Sequence, residues 1–136
     1  MNDPVFEALA RQNESRSAAF LERFAEAEGT QKLDNGMHYQ VQSAGDGPTP
    51  EAGDTVRISF SARLRDGVLV GDERDFVMPL EGMIPRARSA LASMSVGYRW
   101  IVAIPPELAF GLGGRDPDIG PNEAILADIE LLGIEP

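Results

Sequence analysis

The first part of the chain carries hydrophobic residues at helical spacing. Residues 3–28 place apolar side chains three or four positions apart, which predicts an amphipathic helix. Asp3 is a candidate N-cap, Pro4 suits the first turn of a helix, and Gly29 suits its end. A polar stretch over residues 12–17 interrupts the apolar face, so a weak point and the start of a second helix are both open interpretations. The large apolar residues of this face are Phe6, Leu9, Phe20 and Phe24.

A helix of this length can pack against either of two surfaces. About 25 helical residues span about 38 Å, which is longer than a small domain requires. The apolar face suits either a second copy of the chain or the domain to which the helix belongs, and the sequence favours neither. We therefore predict a helical arm over residues 1–29 and a separate domain over residues 30–136.

After the arm, the hydrophobic pattern alternates, which predicts strands. The longest predicted strand covers residues 55–64, and an Asn35–Gly36 turn precedes a strand over residues 37–41. A short helix is predicted to begin at Pro85. The pattern indicates one α+β domain, with an antiparallel sheet, one helix packed across it and the N-terminal helical arm. Further strands are predicted over residues 68–70, 76–78, 96–104 and 124–132, and a loop over residues 112–121.

The charge balance excludes several kinds of partner. The chain has 12 Lys and Arg against 22 Asp and Glu, a formal net charge of −10. Nucleic acids and anionic membrane surfaces are bound by clustered positive charge, so neither is expected as a partner. No apolar run approaches the roughly 20 residues of a membrane span, and we expect no membrane insertion. The first residues carry no signal-peptide pattern. A periplasmic location after signal removal and a cytoplasmic location both stay open.

Most catalytic devices lack their residues in this chain. There is no cysteine, which excludes a thiol nucleophile, a disulfide and a cysteine zinc site. His38 is the single histidine, and its position after a turn is typical of an exposed strand residue. Gly111–Gly114 lacks the Lys-Ser/Thr of a phosphate loop, and no nucleophile elbow occurs. We therefore expect no metal and no cofactor, and an enzymatic reaction here must need neither a strong base nor a covalent nucleophile.

The second half of the chain contains a series of motifs that one family shares. The most telling is the run Ile-Pro-Pro-Glu-Leu-Ala-Phe-Gly over residues 104–111. From about Asp34 to Glu135 the chain thereby resembles the FKBP-type peptidyl-prolyl cis/trans isomerase domain. The resemblance implies an FKBP-like fold, an antiparallel sheet wrapped around one short helix, and isomerase activity on proline-containing segments of client proteins. The other matching stretches are residues 52–57, 64–67, 79–80, 83–85, 94–97, 119–126 and 128–132.

The stretch before this domain, residues 20–33, resembles the helical lead-in of the bacterial subgroup that contains the macrophage infectivity potentiator. In that subgroup an N-terminal helical region carries dimerisation, and many members are exported. The resemblance therefore implies a homodimer formed through the N-terminal helix.

Prolyl isomerisation needs a pocket rather than an acid or a base. The family pocket has apolar walls, a floor under the proline ring and a donor for the substrate carbonyl. The resemblance implies that Phe76, Met83 and Ile84 belong to the wall, as in the family, and that the backbone N–H of Ile84 is the donor. Ile119 also matches the family. Trp100 is not the floor, because it falls at a core-facing strand position.

At other pocket positions the chain departs from the family. Two family tyrosines fall at Phe60 and Phe110, which lack the hydroxyl. The family aspartate falls at Gly71 and the floor tryptophan at Ala87. The two remaining positions, phenylalanines in the family, are Val70 and Ala127.

These departures leave three interpretations of the pocket open. In the first, the pocket is wider and isomerises weakly. In the second, it is a peptide-binding or chaperone surface without useful catalysis. In the third, neighbouring side chains fill the space. A structural dimerisation protein is a further class. Asp72 would partly replace the missing carboxylate if its loop shifts. Arg86 stands where the family has glycine, and with Arg88 it forms either a basic rim that selects acidic peptides or a solvated helix face.

Overall fold

The computed structural model describes residues 3–33, 35–83, 85–115 and 118–135. A 23-residue helix, α1 (Pro4–Glu26), comes first, and a second helix, α2 (Pro85–Ala92), lies between the strands. Short 3₁₀ helices cover Leu80–Gly82 and Pro106–Leu108. No helix in the described ranges has the length and apolar character that a membrane crossing requires. The strands are β1 (Gln31–Lys32), β2 (His38–Ser43), β3 (Thr55–Leu64), β4 (Leu69–Pro79), β5 (Arg99–Ile104) and β6 (Ile125–Glu135).

Helix α1 runs without a break through its polar middle. Asp3 caps it, since its Oδ1 accepts a hydrogen bond from Val5 N at 2.9 Å, as the sequence predicted. The expected weak point or second helix at residues 12–17 is wrong, because two polar residues of this stretch form hydrogen bonds to the domain and the helix continues through them. Asn13 and Ser17 are buried there. Of the two predicted packing surfaces, the structure shows α1 packed against its own domain.

The six strands of the described chain form one antiparallel sheet in the order β1-β2-β5-β6-β3-β4. The long strands β3 and β6 pair along their whole length, from Thr55 opposite Glu135 to Leu64 opposite Ile125. Helix α2 buries Ala90 and Leu91 in the same core as the strands. The predicted α+β architecture with an N-terminal helix is confirmed. The most completely buried side chains include Met37, Val56, Leu80, Leu91, Met94 and Leu131.

Strand β4 is one strand, whereas the sequence predicted two short strands over residues 68–70 and 76–78. Residues 71–75 are polar because β4 is an edge strand, where side chains and one row of backbone groups face solvent. A bulge at Asp75, with φ of 51°, shifts the pairing with β3 within this stretch without ending the strand. Strand β5 begins at Arg99 rather than at residue 96, because Gly97 turns the chain with φ of 101°.

Candidate functional site

A cavity of about 830 Å³ lies between α2 and the sheet. Strands β3 to β6, helix α2 and the loop after β5 all contribute to its lining, which is largely apolar. Nine of the ten predicted site residues line it, and the tenth, Ile84, lies outside the described residues. The nine are Phe60, Val70, Gly71, Phe76, Met83, Ala87, Phe110, Ile119 and Ala127.

Two aromatic rings form one wall of the cavity. Phe60 on β3 and Phe76 on β4 pack edge to face, with ring centroids 5.8 Å apart and an interplanar angle of 65°. The bulge in β4 makes this arrangement possible, because Ile58 pairs with Phe76 while Phe60 pairs with Glu73. Ser59 Oγ accepts a hydrogen bond from Asp75 N at 2.9 Å and holds the bulge in place. The bulge therefore keeps both Phe76 and Glu73 on the cavity side.

The cavity is open where its lining side chains are small. Ala87 on α2 is half-buried, and the lining continues past it to Leu91 and Val102, which are each 1% exposed. A Cβ atom at Gly71 would lie 3.6 Å from Ala62 Cβ and 3.8 Å from Phe60 Cε2, which is ordinary van der Waals contact. The cavity thus extends down to the core, and at Gly71 it leaves room for a Cβ atom.

The hydrogen-bonding groups of the cavity are few. Asp72 lines it, but its Oδ1 accepts a hydrogen bond from Arg74 Nε at 2.8 Å and is already occupied. Trp100 is 3% exposed and stacks on Tyr39 at 3.8 Å, so it lies in the core and does not line the cavity. His38 is half-buried in β2 and is not among the lining residues.

Two arginines stand at the cavity, one of which the sequence analysis missed. The guanidinium carbons of Arg86 and Arg115 lie 5.6 Å and 5.3 Å from the ring centroid of Phe110. Burial lowers the pKa of Arg86 from its ordinary value. Arg88 is exposed and does not line the cavity. Arg115 belongs to the glycine-marked loop, and only its closeness to the matching stretch at residues 119–126 hinted at a role.

The acidic residues of the chain do not assemble a metal site in the part that the structure describes. Within residues 3–33, 35–83, 85–115 and 118–135, no three His, Asp or Glu side chains are grouped closely enough to hold a metal ion. The cavity therefore offers a bound ligand a largely apolar surface, with the two cationic groups of Arg86 and Arg115 at its edge.

Comparison with known proteins places this cavity in a family context. The model of the family described as FKBP-type peptidyl-prolyl cis-trans isomerase matches residues 47–132. Peptidyl-prolyl cis-trans isomerase Mip of Coxiella burnetii is 33% identical over 127 residues, which are 90% of this chain and 55% of that protein. FkpA of Escherichia coli K12, an FKBP-type isomerase, is 34% identical over 131 residues, covering 93% of this chain and 48% of its own. The chain thus spans about half the length of the curated relatives it matches.

Solved structures agree with the sequence comparison. The crystal structure of FkpA from Escherichia coli superposes with a TM-score of 0.85 at 33% identity, over 96% of this chain and 63% of that one. A peptidyl-prolyl cis-trans isomerase from Pseudomonas syringae pv. tomato also gives a TM-score of 0.85, at 24% identity, over 100% of this chain and 99% of that one. The second likeness bears on the fold alone.

Proposed function

Because the chain belongs to the FKBP-type peptidyl-prolyl cis-trans isomerase family, we propose that it isomerises the peptide bonds that precede proline in client proteins. The observation that supports this most directly is the cavity of about 830 Å³ between α2 and the sheet. We propose that its nine described residues from the sequence analysis bind the substrate, and that Ile84 joins them.

The proposed mechanism changes the environment of the amide and transfers no proton. Resonance keeps the amide planar, and rotation about its C–N bond costs about 18–20 kcal/mol. Side chains such as Phe60, Phe76 and Met83 surround the bond with apolar surface. A twisted amide carries less charge separation than a planar one, so this surface stabilises the twisted form preferentially. A preference of about 4 kcal/mol corresponds to an acceleration of about a thousandfold.

We propose that the rate is lower than that of a complete family pocket. Phe60 and Phe110 provide aromatic surface without a hydroxyl group, and Gly71 provides no carboxylate. Each missing hydrogen bond removes about 0.5–1.5 kcal/mol of net interaction with the substrate. At Ala87 and Ala127 the proline ring would contact a methyl group, so it would bury less surface than against a large ring.

A second candidate is a peptide-binding or chaperone module that does not catalyse. The observation that favours it is that three residues lining the open cavity, Phe60, Gly71 and Phe110, lack the hydroxyl and carboxylate groups that the family has at these positions. Such a module would bind proline-containing segments through apolar contact alone. It would leave the rate of isomerisation unchanged, which separates the two candidates in one assay.

We also propose that residues 1–29 act as an arm of the isomerase domain at residues 30–136, and that the arm mediates a homodimer. Three apolar side chains near the start of α1 support this, because Val5, Phe6 and Leu9 are 77%, 40% and 43% exposed. Apolar side chains that are grouped on one surface favour burial against a partner.

The proposed activity is tested by isomerisation of a short Xaa-Pro peptide with Phe76→Ala and Val77→Ala as a matched pair. Phe76 lines the cavity, whereas Val77 is its neighbour on β4 and is 51% exposed. We expect the parent to accelerate isomerisation, Phe76→Ala to lose about tenfold or more of kcat/KM, and Val77→Ala to match the parent. Phe76→Leu, which keeps more of the apolar volume, serves if Phe76→Ala unfolds. A parent that binds the peptide without accelerating its isomerisation supports the chaperone candidate instead.

A further inference from the structure

The edge of the cavity carries an unusual pair of cationic groups for so acidic a chain. Arg86 comes from α2 and Arg115 from the loop after β5, and both guanidinium groups lie over the ring of Phe110. Arg115 also donates a hydrogen bond from Nη2 to Val70 O at 3.4 Å, which ties its loop to β4. Two elements that are distant in sequence thus bring positive charge to the same lining residue.

Four other arginines in the structure have an acidic partner, whereas these two, like Arg11, Arg16, Arg23, Arg63 and Arg88, have none among the described residues. Among the described residues, neither Arg86 nor Arg115 forms an ion pair, although the chain holds 22 acids. The ion-paired arginines are Arg57, Arg65, Arg74 and Arg99, whose partners are Asp75 and Glu135, Glu123, Asp72, and Asp128 respectively.

The charges that face the cavity balance formally, but one of its two carboxylates is already paired with an arginine outside the lining. Its lining contains Arg86 and Arg115 against Asp72 and Glu73. Asp72 is neutralised by Arg74, with Nε and Oδ1 2.8 Å apart. Glu73 is therefore the one described lining carboxylate without an arginine partner, and the same lining holds the guanidinium groups of Arg86 and Arg115.

A guanidinium group in this setting is suited to a carboxylate. It presents a planar fork of N–H donors that fits the two oxygens of a carboxylate, with bonds stronger than those to neutral acceptors. Arg86 is half-buried, and burial lowers its pKa because water no longer fully solvates the charge. An anionic ligand would compensate for the lost hydration by its electrostatic attraction to the guanidinium group.

We propose that Arg86 and Arg115 form a carboxylate subsite beside the proline cavity, which selects segments with Asp or Glu next to the proline. The inference rests on the proposed function and adds a substrate class to it. Of the two arginines expected from sequence to form a basic rim, Arg88 has no part in the subsite, because it does not line the cavity. Both guanidinium groups lie over Phe110, which itself lines the proposed proline cavity.

The test compares peptides that differ only in charge. The full chain is assayed with Ala-Glu-Pro-Phe against Ala-Gln-Pro-Phe, and with Ala-Pro-Glu-Phe against Ala-Pro-Gln-Phe. The readouts are kcat/KM for isomerisation and, independently of turnover, Kd from fluorescence anisotropy of labelled peptides. We expect the acidic member of at least one pair to be preferred by about two- to fivefold, as for a partly exposed ion pair. Raising the ionic strength from about 0.02 M to about 0.5 M should reduce that preference.

Arginine variants locate the subsite. We expect Arg86→Gln and Arg115→Gln each to lower the acidic-to-neutral ratio, and the double variant to bring it close to one. Arg88→Gln is the matched control, because it removes an equal charge from the exposed part of the same helix, and it should keep the parent ratio. If Arg86→Gln unfolds in circular dichroism, Arg115→Gln, which changes an exposed side chain, carries the comparison alone.

The outcomes separate this inference from the proposed function. Equal kcat/KM and equal Kd for both members of both pairs overturn the subsite while leaving isomerisation intact. A tighter Kd for an acidic peptide without any turnover overturns the isomerase proposal and leaves the subsite standing. If Arg88→Gln lowers the ratio as much as Arg86→Gln, the preference comes from the charge of the whole helix, and the subsite is wrong.

Discussion

Together with Phe110, Gly71 is the position at which a substitution is expected to raise activity most simply. Its Cβ position is free of close contacts, and its φ lies outside the left-handed region. We predict that Gly71→Asp with Phe110→Tyr raises isomerisation, because two substrate hydrogen bonds supply about 1–3 kcal/mol in sum, or about fivefold to a hundredfold. The rate on a short Xaa-Pro peptide checks this. A well-folded double variant that is no faster than the parent contradicts it.

Ala87 tests whether the missing floor of the cavity is empty space. Beyond Ala87 the lining reaches Leu91 and Val102, and the cavity measures about 830 Å³. An indole there would bury about 150–250 Å². We therefore predict that Ala87→Trp folds and isomerises faster than the parent. A lower melting temperature with lost activity would mean that neighbouring side chains occupy the space, since overpacking costs about 1–3 kcal/mol.

At the scale of elements, the docking of α1 depends on polar contacts. Ser17 is 0% exposed, and its Oγ accepts a hydrogen bond from Ala124 N at 2.9 Å and donates one to Asn122 O at 2.8 Å. Asn13 Nδ2 donates to Pro121 O at 2.9 Å. These contacts fix residues 121–124, which lead into β6. Asn122 N also donates a hydrogen bond to Gly111 O, so the same segment is joined to the loop that carries Phe110.

The docking contacts make a prediction for stability. Ser17→Ala should lower the free energy of unfolding by about 1–3 kcal/mol, because it leaves the buried N–H of Ala124 without an acceptor. Ser15→Ala is the control, since Ser15 lies two residues away on the same helix and is exposed. Its effect should stay within about 0.5 kcal/mol. Urea unfolding measures both variants. Equal midpoints would show that α1 contributes nothing to the domain at Ser17.

The elements also show where sequence patterns suffice and where they fail. The ends of β3 and the start of α2 at Pro85 followed from alternation and from proline chemistry. The docking face of α1 did not, because periodicity records apolar spacing while Asn13 and Ser17 dock through hydrogen bonds. The bulge at Asp75 was also unpredictable, since an edge strand with charged residues has the composition of a loop. Arg115 reached the cavity through the path of a loop, which carries no periodicity.

At the scale of the whole molecule, the apolar start of α1 is the feature that its own domain leaves uncovered. Val5, Phe6 and Leu9 are exposed, whereas Phe20 and Phe24 on the same helix are half-buried. If the arm mediates a homodimer, Phe6→Ser with Leu9→Ser should shift the protein from dimer to monomer in sedimentation velocity. The Arg11→Gln variant, an exposed change on the same helix, should keep the parent distribution. A parent that sediments as a monomer at all concentrations contradicts the proposed dimer.

We propose above that this chain isomerises prolyl bonds within the cavity between α2 and the sheet. Exchange NMR on one sample tests this directly, because separate cis and trans signals of an Xaa-Pro peptide report the rate while amide shifts of the protein report the site. We expect faster cis–trans exchange with the protein present, together with shift changes at Phe60, Phe76 and Phe110. Unchanged exchange, or faster exchange with shift changes confined to residues far from the cavity, would contradict it.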